Sequence, residues 1–158
     1  MNRRSKKVAA LLAALVVASA LHASAARADA APSPEMKAHL QKLDSGSKTI
    51  DVSKYPAQQK AAYGTFVKKC SKCHAIARAI SSDFVLPAEW QRYIKRMMYK
   101  PNSQMNDKDG KTIYQFLVYD GSVRKTGQLK KALAGLTPKE RDEAVEKVKT
   151  INPSFTSP

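Results

Sequence analysis

A chain of 158 residues allows one domain, or one domain with a tail, and 43% hydrophobic with 26% charged residues is a globular composition rather than a disordered one. Two cysteines exclude a multi-disulfide scaffold and an all-cysteine zinc or iron–sulfur site built from one chain. With 28 Lys and Arg against 13 Asp and Glu, the formal charge is +15.

The first element stands outside the fold. Arg3, Arg4, Lys6 and Lys7 precede Val8 to Leu21, a run of Ala, Val and Leu interrupted only by Ser19. Small residues recur at Ala23, Ala25, Ala26, Ala28 and Ala30. The apolar run is shorter than the roughly 20 residues of a spanning helix. Basic start, short apolar stretch and A-x-A exits describe a secretory signal peptide over residues 1–28, cut after Ala28, with Ala25 and Ala30 as alternative exits. An uncleaved anchor is the competing reading. Residues 1–28 hold five of the basic residues and no acid, so the mature chain keeps 23 basic against 13 acidic residues. Export to the periplasm argues against nucleic acid as the partner of that charge. An acidic protein, anionic lipid or a plain solvated face remains.

Residues 29–55 read as a polar segment with a turn at Ser45-Gly46-Ser47. A helix is expected from Pro56 through Lys69, with Tyr63, Phe66 and Val67 on one face and Cys70 to His74 at its end. Residues 81–86 read as a loop. A second helix starts at Pro87, carries Trp90, Ile94 and Met97, and stops before Pro101. After a turn at 102–106, a third helix spans 107–119 with Ile113, Phe116 and Leu117 at helical spacing, closed by Gly121. Residues 122–158 comprise a basic linker, a helix opened by the capping box Thr137-Pro138-Lys139-Glu140 and running to about Lys149, and a tail from Ile151. No β alternation and no repeat is visible, so the expected class is all-α.

Cys70-Ser71-Lys72-Cys73-His74 is a C-x-x-C-H sequence, the attachment signature of c-type haem. Two thiols separated by two residues reach both vinyl groups of one porphyrin as thioethers, and the adjacent imidazole becomes the proximal iron ligand. A thioredoxin-type dithiol needs a βαβ setting, and none is visible. A zinc site lacks a fourth ligand, since the only other mature histidine is the distant His39. A Cys70–Cys73 disulfide leaves His74 without a purpose.

Together with Tyr63-Gly64-Thr65-Phe66, the stretch Trp90 to Met98 and the stretch Ile113 to Tyr119, this sequence resembles the small soluble class I, mono-haem bacterial cytochromes c. The resemblance covers residues 63–119. It implies a cytochrome c-like helical haem domain over 56–121, with an extra C-terminal helix beyond it. It implies one covalent haem c on Cys70 and Cys73, with iron held by His74 and a methionine thioether. Trp90-Gln91-Arg92-Tyr93-Ile94-Lys95-Arg96-Met97 looks like a W-x-x-x-[VI]-x-R-M variant in which Met97 is that ligand. On a helix Trp90 and Met97 fall within about 20° of each other. Met98 and Met105 are the alternatives, followed by His39, a lysine or an open position. The resemblance further implies close helix approach at Gly64 against Phe116 or Tyr119, and a Pro87 carbonyl on the proximal imidazole. Trp90 N–H and Arg78 would serve the haem carboxylates, with Tyr93 a further candidate beside them.

The implied function is a non-enzymatic, monomeric periplasmic carrier of single electrons between redox proteins, without a membrane span in the mature form. Lys68, Lys69, Lys72, Lys95, Arg96 and Lys100 would steer an acidic partner. A haem enzyme or ligand sensor with an open sixth position is the rival, with His39 its only distal acid–base candidate. A fixed electron-transfer subunit docked through residues 122–158 is the third reading.

Overall fold

A computed structural model describes residues 31–157, so the signal-peptide reading of residues 1–28 lies outside the described residues. Seven helices and no strand are found among them: α1 (Pro34–Asp44), α2 (Ala57–Cys70), α3 (Ala77–Ile80), α4 (Pro87–Met98), α5 (Asp107–Arg124), α6 (Thr126–Ala134) and α7 (Pro138–Ile151). The chain divides into two compact units after Met36. Of the first, the described part is residues 31–36, where the Met36 N–H donates to Ser33 Oγ at 3.2 Å. The rest of the architecture belongs to the unit beginning at Lys37.

Local chemistry explains the helix starts. Pro56, with φ −56°, precedes α2. Pro87 opens α4, and the Glu89 carboxylate accepts from the N–H groups of Val85 (3.0 Å) and Leu86 (2.8 Å). Asn106 and Asp109 cap α5 reciprocally, and Thr137 with Glu140 does the same for α7.

Helix α5 is the central element, packed against α2, α4, α6 and α7. The α2–α5 seam is aromatic: Phe66 and Phe116 stack at 5.4 Å, and Tyr63 lies 5.3 Å from Phe116. Against α4, the close approach is at Gly110, where a Cβ would sit 2.5 Å from Met98 Sδ and 3.5 Å from Ile94 Cγ2. At the far end of α5, buried Asp120 accepts from Tyr55 Oη at 2.9 Å and pairs with Arg124 at 2.7 Å.

Three expectations need correction. The segment read as polar contains α1, whose Met36, Leu40 and Leu43 recur at helical spacing although none is fully buried. Helix α5 does not close at Gly121 but continues to Arg124; Gly121 is buried within it, with the Val85 carbonyl 3.7 Å from where a Cβ would stand. The basic linker contains α6, whose Leu129 and Leu133 are fully buried one turn apart. Helix α7 and the tail pack onto the preceding helices, with Val148 and Phe155 in the core and Asn152 Nδ2 donating to Ser122 Oγ at 2.8 Å.

Candidate functional site

Cys70 is the last residue of α2, and Ser71 to His74 turn away from the helix end. Both cysteines are free: Cys70 is half-buried and Cys73 exposed. Burial, and then the neighbouring Cys73, push the Cys70 thiol up to about 12. Tyr93, buried on α4, lies close enough to feel Cys70, and its hydroxyl is also pushed up to about 12, first by burial. His74 is half-buried, with Nδ1 3.0 Å from the Ala75 carbonyl. When Nδ1 carries the proton, that contact leaves Nε2 with its lone pair free, the form a metal ligand requires.

Around Tyr93 stands a cluster of rings. Phe84, Trp90 and Tyr93 meet edge to face, with centroids 5.5 to 5.8 Å apart. Trp90 is 2% exposed, and its Nε1–H is buried without an acceptor. Among the described residues, Gln59 Oε1 is the only other buried side-chain polar atom in that condition. Arg96 lies over the Tyr93 ring at 5.6 Å.

Met97, Met98 and Met105 are all half-buried against the core. Met98 is already engaged, since its sulfur fills the space above Gly110. His39 is exposed on α1.

Several expected roles fall elsewhere. Gly64 is exposed, and a Cβ there would meet nothing within 4 Å, so it does not mediate the α2–α5 approach; Ala62 and Phe66, one turn apart, are the buried positions of that helix together with Gln59. Pro87 is a buried helix-start residue, while the His74 Nδ1 contact is to Ala75. Arg78 pairs with Asp44, Nε to Oδ1 at 2.9 Å, and this pair holds the Asp44 carboxyl below the usual carboxylate range. Lys69 and Lys72 are also engaged, by Asp109 and by Gln104. Asp44 was not foreseen, because a pairing across 34 residues leaves no local signal.

Among the described residues, no group of three or more His, Cys, Asp or Glu is arranged to hold a metal ion, as a zinc site would require. No described helix is long and apolar enough to cross a membrane. Comparison with protein-family models, with curated proteins and with solved structures finds no match.

Proposed function

We propose that the chain is an exported single-electron carrier of the class I cytochrome c kind, with a cytochrome c-like haem domain. Cys70 and Cys73 would hold one haem c as thioethers, with the His74 imidazole as an iron ligand. The observation that carries this reading is the C-x-x-C-H sequence displayed as a turn at the end of α2 with both thiols free.

The surrounding residues fit the group. The imidazole has Nδ1 at a backbone carbonyl and Nε2 to give. The Trp90 indole N–H, buried without an acceptor, suits a haem carboxylate or another acceptor brought in with the group. When bound, the haem supplies one-electron exchange between Fe(III) and Fe(II). The chain's part is binding: Tyr93, close enough to feel Cys70, would bring the Phe84–Trp90–Tyr93 ring cluster beside the group, and Met97 is the methionine we assign as its second iron ligand. Met98 is the weaker alternative because its sulfur packs on Gly110; Met105 is the other.

Partner docking falls to the exposed cations. Arg92, Lys95, Arg96 and Lys100 are exposed, and residues 90–106 contain no acid. That face suits an acidic redox protein, which it would attract at long range and release quickly. Lys69 and Lys72 contribute less, being held by Asp109 and Gln104.

The test is the visible spectrum of the protein produced in a host that attaches c-type haem, recorded with and without carbon monoxide after reduction. A low-spin spectrum unmoved by carbon monoxide supports the carrier. A high-spin spectrum that shifts with carbon monoxide transfers the reading to an enzyme or sensor.

A further inference from the structure

The segment Tyr99–Asn106 joins α4 to α5 and, with the end of α4, carries all three candidate methionines. It contains Asn102 at φ 63°, a left-handed conformation that Asn tolerates. One lysine fastens this segment to the helix bearing Cys70. Lys69 Nζ lies 2.7 Å from Asp109 Oδ2 and donates to the Gln104 carbonyl at 2.8 Å. The side chains of Lys69 and Asp109 are 20% and 16% exposed, so the pair is partly shielded and its hold comes from geometry shared with the Gln104 carbonyl and the Asn106 cap. Asp109 also accepts from the Asn106 N–H at 3.2 Å, so a single carboxylate caps α5 and receives the lysine. Lys72 reinforces the arrangement through the Gln104 side-chain oxygen. Lys68, on the same turn of α2, is exposed.

We propose that Lys69 is a positioning residue that pins the Tyr99–Asn106 segment to the attachment helix and so protects the axial methionine from displacement by outside ligands. The inference rests on the cytochrome reading for its consequence, but the pinning itself is a property of the chain. Loss of the methionine would be a ligand exchange, one thioether for one outside nitrogen donor, with no electron transferred. Met105 lies inside the tied segment, and Met97, at the end of α4, adjoins it, so either could move away only as far as a segment tied at Gln104 and Asn106 opens.

The experiment compares the full haem-loaded protein with Lys69→Met, which keeps the apolar stem, and with Lys69→Arg, Asp109→Asn and Lys68→Met. Asp109→Asn keeps the cap acceptor and removes the charge, so it reads the same latch should Lys69→Met fold poorly. Amide hydrogen exchange over residues 103–110 and imidazole binding to the ferric protein are the two readouts. Lys69→Met and Asp109→Asn are expected to speed exchange in that window and tighten imidazole binding about tenfold. Lys69→Arg should restore most of the protection, and Lys68→Met should resemble the parent. Unchanged exchange overturns the latch; faster exchange with unchanged imidazole binding overturns its protective role. Absence of haem from the parent protein overturns the cytochrome reading and the protection with it, whereas the exchange readout still judges the pinning.

Discussion

Arg78 grips Asp44 through two nitrogens of one guanidinium, joining the end of α1 to α3 across 34 positions of chain. Fork-on-carboxylate geometry is the strong form of an ion pair, but both side chains retain roughly a quarter of their exposure, so solvent weakens it. Asp44→Asn should therefore cost about 1 kcal/mol or less at pH 7. Because Arg78 holds the folded-state pKa below the unfolded one, the contribution is complete above about pH 4 and fades as pH falls through the folded value. Urea titrations of both proteins at pH 7 and pH 3 check this: their midpoints should differ at the first and converge toward the second.

Gly64 offers a cleaner separation of resemblance from geometry. It lies within α2 with nothing in reach of a Cβ, so Gly64→Ala should stabilise the protein by up to about 1 kcal/mol through helix propensity alone. Were Gly64 the small residue of a tight helix crossing, the same change would destabilise. Gly110→Ala should forfeit that gain, because the Met98 sulfur must move aside first. Thermal denaturation of the two variants side by side decides the matter.

Lys125 is half-buried at the α5–α6 junction, where its amine donates to the Ser82 carbonyl. Burial, and then nearby Arg124, push its pKa down to about 8. The unfolded chain holds that proton to about pH 10.4, so between about pH 8 and 10 the unfolded state binds more protons and the Lys125 contribution to stability rises with pH. Relative to Lys125→Met, the parent should gain stability as pH is raised from 7 to 10. Denaturant midpoints for the pair across that range test the sign, and a constant difference would refute it.

The helices with chemical punctuation were legible in the sequence. Prolines at positions 56, 87 and 138, with capping pairs at residues 106–109 and 137–140, mark α2, α4, α5 and α7. Helix α1 escaped although Met36, Leu40 and Leu43 stand at helical spacing, because the residues between them are mostly polar or charged, and α6 because its two buried leucines stand among lysines and glycines. In the candidate site, the C-x-x-C-H pentapeptide and the positions of the methionines could be read locally. What Arg78, Lys69 and Lys72 touch could not, since Asp44, Asp109 and Gln104 lie 32 to 40 positions away and electrostatic pairing has no sequence period. Gly64 misled because a glycine in a helix looks the same whether it faces a neighbour or solvent.

The exposed cations of α4 and the turn after it give the proposed carrier a kinetic signature. Its electron-transfer rate with an acidic redox protein should fall steeply as ionic strength rises beyond about 0.1 M, where screening shortens to about 10 Å. Reversing Lys95 and Lys100 to Glu should slow transfer at low salt and leave the high-salt rate near the parent value, as both side chains are exposed. Stopped-flow traces over a salt series report both, and a flat dependence would rule out electrostatic docking.

Mass spectrometry of the proteolytic peptide spanning residues 70–74, from protein exported in a haem-competent host, addresses the central claim most directly. The account predicts a peptide carrying one haem on Cys70 and Cys73, coloured and inert to alkylation. A colourless peptide with both thiols alkylated would contradict it.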